Sequence, residues 1–204
     1  MINRITIQAY QVGLVFEKGK LINVLEAGSY WIFGNKQVHV FEMKQSFVAP
    51  IELTILLQNE KLASMLEVIE IADNEIVLYY VNGMFKEVLT TGRYAFWKGY
   101  LNNTFTKIDL SKVAITEIVP MALLENIKVR AYTRKFQVLN FEKGLLFVNG
   151  AFVKELAAGN YYFWNNAIPI EVKNVDIRQQ QMEIAGQELL TKDKATLRIN
   201  FFVR

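Results

Sequence analysis

Short apolar runs alternate with glycine-containing turns along the chain, and one arrangement of them occurs three times. Each time, an apolar strand pattern turns at an X-Gly pair, continues as a strand ending in Leu, turns at a second X-Gly pair and becomes an aromatic strand. Glycine takes positive φ at tight turns without steric cost, and Asn-Gly between apolar runs is a strong hairpin signal. The pattern therefore predicts β-hairpins whose branched and aromatic residues suit a half-buried pleated surface.

The three repeats keep a fixed frame. Two glycines stand nine residues apart, with a Leu three residues before the second glycine and a Tyr two residues after it; the glycines are Gly19 and Gly28, Gly83 and Gly92, and Gly150 and Gly159. Successive frames lie about 65 residues apart, which is long for a solenoid, and three units are too few for an ordinary propeller. We predict a mainly β (β-rich α+β) fold of three tandem modules built on hairpins, residues 1–66, 67–127 and 128–204.

Apolar residues continue through the segments between these frames. Residues 56–66 place Leu62, Met65 and Leu66 at helical spacing, and residues 119–127 have room for a short turn of helix. We therefore expect short helices in the linkers. Because the linkers lack the Gly/Ser/Pro composition of free tethers, we also expect neighbouring modules to share interfaces.

An acidic residue between two apolar ones follows each aromatic strand. These residues are Glu42, Asp109 and Asp176, and they lie 14, 17 and 17 residues after the second glycine of their frames. The offset predicts a shorter connection in the first repeat.

Composition limits the function classes. The chain has 204 residues, of which 52% are hydrophobic and 21% charged, so it can bury a substantial core. The net charge is +3 and the basic residues are scattered, which argues against nucleic-acid binding. Zero cysteines exclude disulfides and thiol nucleophiles, and leave the compartment open.

Candidate catalytic chemistry is sparse. The single histidine, His39, lies between Val38 and Val40 and is expected to point away from them into solvent, with no positioned partner for general-base work. Carboxylates show no metal-ligand spacing, and the glycine pairs are not followed by a helix that would hold phosphate. We predict no enzyme activity, no metal and no cofactor.

Two further features have alternative readings. The aromatic runs YAFWKGY and YYFWNN recur at one position of the repeat and are interpreted as core, with a ligand platform or a protein or membrane contact as the alternatives. The charged turn Lys192, Asp193 and Lys194 is interpreted as a solvated loop, with an intersubunit contact as its alternative.

Membrane-targeting signals do not stand out. The opening MINRITIQAY alternates apolar and polar residues like a strand, not like a signal peptide. No window reaches the roughly 18 to 20 apolar residues of a transmembrane helix. Membrane contact would require another segment or a partner.

The third repeat resembles a known family. The strings YTRKFQVLNFEKGLLFVNGAFVKELAAGNYYFWNN and VDIRQQQMEIAGQELLTKDKATLRINFFVR resemble the opening half of an SPFH (band 7) domain of the stomatin, prohibitin and flotillin superfamily, in its slipin-like form. Residues 1–127 resemble the repeated extension that precedes some bacterial slipins. One departure is Ala158, where many stomatins have a proline before the glycine.

The resemblance implies a function. It implies a membrane-associated scaffold on the cytoplasmic side that forms homo-oligomers and organises membrane proteins, including a membrane protease of the NfeD type. It also implies that the rest of the domain and a long helical oligomerisation segment lie downstream, with membrane contact made by segments absent here. The alternative from the residues alone is a soluble β-repeat module that binds a peptide or a glycan.

Overall fold

The structure is a computed structural model and describes residues 2–180 and 182–203. Strands account for 55% of it and helices for 9%, which confirms the mainly β fold. The chain forms two compact units, the first comprising residues 1–112 and 116–131 and the second residues 113–115 and the chain from Tyr132 onward.

Repeat 1 contains five strands that divide between two small sheets. They are β1 (Ile2–Ile7), β2 (Gln11–Glu17), β3 (Lys20–Leu25), β4 (Gly28–Phe33) and β5 (Lys36–Glu42). Strands β1 and β4 form an antiparallel two-stranded ribbon, and β3, β2 and β5 form a three-stranded antiparallel sheet with β2 in the centre. The chain therefore leaves the ribbon for the hairpin β2–β3, returns to the ribbon and then completes the sheet.

Repeats 2 and 3 have the same topology. Repeat 2 consists of β6 (Leu66–Ile71), β7 (Glu75–Val81), β8 (Met84–Leu89), β9 (Gly92–Trp97) and β10 (Asn103–Asp109). Repeat 3 consists of β11 (Thr133–Val138), β12 (Glu142–Val148), β13 (Ala151–Leu156), β14 (Gly159–Trp164) and β15 (Ile170–Asp176). The ribbons are β6–β9 and β11–β14, and the sheets are β10-β7-β8 and β13-β12-β15. A further hairpin follows, β16 (Met182–Leu190) and β17 (Thr196–Val203).

This topology is consistent with the predicted tandem modules. The boundaries of the modules remain predictions. The first predicted boundary falls after residue 66, the residue that opens β6. The last predicted position, residue 204, lies outside the described residues. The shorter connection of repeat 1 is confirmed, because only residues 34–35 separate β4 from β5, against residues 98–102 and 165–169 in the other repeats.

Short helices occupy the linkers, as predicted. They are α1 (Leu53–Leu56), α2 (Glu60–Met65), α3 (Met121–Leu124) and α4 (Ile127–Arg130). The helical segment predicted at residues 56–66 is divided because Asn59 caps α2: its side-chain oxygen accepts a hydrogen bond from the backbone N–H of Leu62 at 3.0 Å. A cap residue has non-helical backbone angles, so α1 ends before it.

The two glycines of each frame make different turns. Asn82 and Gly83 have φ values of 52° and 78°, which is the two-residue hairpin turn with both central residues left-handed. Gly92 instead opens β9, at the point where the chain passes from sheet to ribbon, with φ 145°. An added Cβ there would lie 3.6 Å from the ring of Tyr94. The tyrosine ring thus covers its own glycine, which accounts for the Gly-x-Tyr spacing.

Both faces of the β6–β9 ribbon are buried in the first unit. One face packs against the sheet of repeat 2, where Ile71, Phe96, Val77, Tyr79 and Leu89 form one cluster. The other face packs against repeat 1 and its linker, in a cluster of Leu66, Ala95 and Trp97 with Val12, Leu14, Phe16, Val24, Phe47, Leu56 and Leu62. Consecutive residues Phe96 and Trp97 are therefore both core residues, although strand alternation alone predicts one of the two.

Trp97 lies at the centre of the contact between repeats 1 and 2. Its ring centroid is 5.1 Å from that of Phe47 and 6.4 Å from that of Phe41. The backbone N–H of Phe47 donates to the carbonyl of Ala95 at 2.8 Å, so the linker also pairs with β9. The apolar linker thus belongs to the interface between the two repeats.

Repeat 3 has its own ribbon-on-sheet core. Val138, Leu146, Leu156 and Phe163 are its buried members. An added Cβ at Gly144 would stand 2.7 Å from Val138 Cγ2, closer than real Cβ atoms approach. A glycine inside a strand indicates such a close approach, and it could have been noticed in the sequence.

Replacing Trp97 is expected to measure how much its packing contributes to stability. Within the described part of the chain, its buried Nε1 has no hydrogen-bond acceptor, so Trp97→Phe loses volume but no bond. We expect Trp97→Ala to lower the free energy of unfolding by about 3–5 kcal/mol and Trp97→Phe by less than half as much. Urea unfolding followed by circular dichroism measures both. Equal losses would contradict this account of the interface.

Replacing Gly144 is expected to overpack the core of repeat 3. Gly144→Ala should cost about 1–3 kcal/mol of unfolding free energy, because the ribbon must move off the sheet. Val138→Ala removes the nearest obstructing methyl. The double variant should therefore lose less unfolding free energy than the two single variants lose in sum. Additive losses in urea unfolding would show that the close approach is not the cause.

Candidate functional site

The charged turn at residues 192–194 is organised by its own neighbours. Thr191 Oγ1 accepts a hydrogen bond from the Ala195 N–H at 3.0 Å, and the backbone N–H of Lys194 donates to the Thr191 carbonyl at 2.9 Å. The Thr191 hydroxyl holds the pKa of Asp193 below its ordinary value. Lys192, Asp193 and Lys194 are exposed. The geometry fits both a solvated loop and a contact surface.

His39 lies on β5 opposite Leu14 of β2. Its exposed ring stands edge-on to Phe16, with 5.4 Å between centroids. A search of residues 2–180 and 182–203 gives no group of three or more metal-ligating side chains. His39 therefore contacts the ring of Phe16 from the exposed side of the repeat 1 sheet.

The acidic residues that end β10 and β15 organise the chain after them. Asp109 Oδ1 accepts hydrogen bonds from the hydroxyl and the backbone N–H of Ser111 at 2.6 and 2.9 Å, and these lower the pKa of its carboxyl. Asp176 pairs with Arg178 at 2.6 Å, which lowers the pKa of Asp176, and the Arg178 guanidinium lies 4.2 Å over the ring of Phe141. Each carboxylate thus fixes the direction of the outgoing chain.

Among the clefts of the first unit, two have similar volumes and contrasting linings. One has a volume of about 580 Å³, and its charged side chains are paired with each other, Glu70 with Arg93 at 2.5 Å and Glu75 with Lys107 at 2.7 Å. The other has about 620 Å³ and combines apolar and charged groups, among them Lys44, Tyr79, Met84, Phe85, Lys86 and Glu87. The Tyr79 hydroxyl donates to Asn103 Oδ1 at 2.9 Å. This second cleft has the chemistry of a small binding groove.

The outer side of the β1–β4 ribbon is an exposed aromatic surface. We call it the ribbon face, consisting of Ile2, Arg4, Trp31 and Phe33. Trp31 is 60% exposed and Phe33 57%. The Arg4 guanidinium stands 5.8 Å from the Trp31 ring centroid. Contiguous exposed apolar residues of this size mark interaction surfaces.

In repeat 2 three of the same four positions are buried and the fourth is partly buried. The register of the two ribbons places Ile2 with Leu66, Arg4 with Val68, Trp31 with Ala95 and Phe33 with Trp97. In repeat 2 these residues face repeat 1 and its linker, and Trp97 is 1% exposed. The ribbon face is therefore the surface by which a ribbon docks on a preceding sheet. The sequence carried this signal in the shared Gly-x-Tyr frame, but we did not single out Trp31 or Phe33 from it.

The outer side of the repeat 3 sheet is a second exposed apolar surface. We call it the sheet face, consisting of Leu145, Phe147, Phe152 and Val175. The rings of Phe147 and Phe152 meet edge to face with 5.8 Å between centroids. Phe152 is 56% exposed and Val175 47%. Charged side chains border this surface: Lys143 pairs with Glu155 at 2.8 Å, and Lys173 Nζ lies 5.2 Å over the Phe147 ring.

No family model, curated protein or solved structure matches the chain. In the part of the chain that the structure describes, no helix has both the length and the apolar character to cross a membrane. The six frame glycines remain dispersed among the turns of three repeats. The two exposed faces are thus the main candidate sites, with the mixed cleft as a smaller one.

Asp109 allows the capping interaction to be measured by titration. A carboxyl whose pKa is lowered by folding stabilises the protein above its unfolded pKa, and this contribution is lost as the pH falls through the lower, folded pKa. We expect Ser111→Ala to raise the pKa of Asp109 toward its ordinary value of 3.8, because the hydroxyl is its leading donor. Carbon-detected NMR titration of the carboxyl measures this directly.

Asp109→Asn provides the control for that titration. The variant has no carboxylate to protonate at this position, so its stability should fall less steeply between about pH 4 and pH 2 than that of the unmodified protein. An unchanged Asp109 pKa in Ser111→Ala would show that the backbone N–H of Ser111, with Asn74 and Lys112, sustains the lowered pKa without the hydroxyl.

Proposed function

We propose that the protein is a non-enzymatic, membrane-associated scaffold of the SPFH (band 7) slipin type, which self-assembles and organises membrane proteins. The observation that carries the proposal is the ribbon face, an aromatic surface that repeat 1 exposes although repeat 2 buries its counterpart. A repeat protein that keeps such a surface open has a site for another protein. The resemblance of residues 128–204 to the SPFH domain adds the membrane setting.

The charged groups also favour a structural role. Catalysis needs a base or nucleophile held within reach of a reacting atom. In the 580 Å³ cleft the acids and bases neutralise one another as ion pairs, and the carboxylates of β10 and β15 cap chain turns. These contacts give the charged side chains structural roles that do not require a substrate.

Partners follow from the resemblance. The proposed partners are further copies of the chain and membrane proteins, including a membrane protease of the NfeD type on the cytoplasmic side. The proposal places membrane contact in segments other than the repeats. The partner proposal is supported by the strings VDIRQQQ and GQELLTKDK, which carry the resemblance. In the first string the Asp176–Arg178 ion pair fixes the exit of the chain from β15.

A second candidate is a β-repeat module that binds a peptide or a glycan. The 620 Å³ cleft favours it, because Phe85 offers ring surface next to the cations Lys44 and Lys86. Glu42 accepts a hydrogen bond from Lys44 and raises the pKa of that lysine, so the cation persists. This candidate leaves the ribbon face and the sheet face without a role.

Membrane flotation of the full-length protein separates the two candidates. The scaffold predicts that the protein floats with membranes in a density gradient and that, after detergent extraction, it sediments as assemblies much larger than one chain. The matched control is Met84→Lys, which changes the cleft and should alter neither result. A monomer that stays out of the membrane fraction, and that loses binding to a peptide or glycan array in Met84→Lys, would establish the binding module instead.

A further inference from the structure

The contact between repeats 1 and 2 shows how a ribbon recognises a sheet in this fold. Trp97 and Leu66 of the ribbon enter a surface of Val12, Leu14 and Phe16 on β2, and Phe41 on β5 flanks Trp97. The contact is built from side chains on the outer face of one sheet and on one face of the following ribbon. A ribbon and a sheet that carry large apolar residues at most of those positions have the chemistry to repeat it.

The ribbon face carries the docking side of this contact. Ile2, Trp31 and Phe33 occupy three of the four docking positions with large apolar side chains. Arg4 occupies the fourth, where repeat 2 has Val68, and its guanidinium lies over Trp31. An arginine stacked on an aromatic ring is common at protein interfaces, because its stem and planar head both bury well.

The sheet face carries the receiving side. In the register of the two sheets, Leu14 corresponds to Leu145, Phe16 to Phe147, Leu21 to Phe152 and Phe41 to Val175. All four positions are apolar in both repeats. The main change is at Val12 and Val24, which are replaced by Lys143 and Glu155, and these form an ion pair with each other.

We propose that the ribbon face of one copy docks on the sheet face of a second copy, as the β6–β9 ribbon docks on the repeat 1 sheet within one chain. This proposal rests on the self-assembly in the proposed function and supplies its interface. The two faces differ, so each copy gives its ribbon face to one neighbour and its sheet face to another. Association of this kind is head to tail and can continue beyond two copies.

Charge favours this arrangement over pairing of two ribbon faces. Two ribbon faces in contact would bring the Arg4 guanidiniums of both copies together, and like charges across an interface are costly. The same side of the repeat 3 sheet instead carries two carboxylates, Glu155 at the position of Val24 and Glu171, both exposed in ion pairs with lysines. Arg4 would join these groups.

Site-directed cross-linking tests the geometry. The chain has no cysteine, so only introduced thiols react with a short bismaleimide. In the internal contact Trp97 lies next to Phe41, and their counterparts are Phe33 and Val175. We expect full-length Phe33→Cys, carrying a size tag, to cross-link to untagged Val175→Cys. The pair Phe33→Cys with Ile118→Cys should not react, although Ile118 is 99% exposed.

Mixing two assembly-deficient variants tests the polarity. Trp31→Lys removes the ribbon face and Phe152→Lys removes the sheet face, both at exposed positions where folding should be preserved. Each alone should weaken self-association, measured by sedimentation velocity, by at least about tenfold. Together they should form a 1:1 dimer and nothing larger, because only one intact ribbon face and one intact sheet face can meet. Ile118→Lys should associate like the unmodified protein.

Each outcome is decisive. Cross-linking of Phe33→Cys to itself, association that is unaffected by Trp31→Lys, or an unmodified protein that stays monomeric at every concentration overturns the head-to-tail interface. Membrane flotation with large assemblies that survive both lysine variants leaves the scaffold in place and rejects this interface alone. Head-to-tail cross-links in a protein that never floats with membranes uphold the interface and reject the membrane scaffold.

Discussion

A two-stranded ribbon with apolar side chains on both faces gains stability from cover on both sides, and this constraint shapes the packing of repeat 2 in the first unit. The β6–β9 ribbon meets it by lying between two three-stranded sheets, its own and that of repeat 1. A pair of strands has too little surface to be stable by itself in water. The linker helices, the aromatic run and the order of the strands all serve this packing, because they bring the next ribbon onto the preceding sheet.

The local features of the fold could be predicted from the sequence because they depend on neighbouring residues. The Asn82-Gly83 and Asn149-Gly150 hairpins follow from backbone sterics, and the Gly-x-Tyr frame follows from a tyrosine that packs over its own glycine. The linker helices followed from apolar spacing. Asn59 then divided one of them, because a side-chain cap at that position competes with continuation of the helix.

The division into ribbon and sheet could not be predicted in the same way. The pairing of β1 with β4 joins residues separated by a complete hairpin, and no local pattern distinguishes it from a meander. Burial of both Phe96 and Trp97 depends on a second layer that belongs to another repeat. The exposure of Trp31 and Phe33 could not be predicted either. An aromatic residue in a strand is normally interpreted as a core residue unless the layer that packs against it is known to be absent.

The order of ribbon and sheet also has a consequence for synthesis. The outer side of the first sheet, with Val12 and Leu14, is closed by strands that end at Trp97. A growing chain on the ribosome therefore exposes this apolar surface until almost half of its residues have emerged. Domains fold from the N terminus as they are made, so the repeat 1 sheet stays uncovered until the β6–β9 ribbon has been translated.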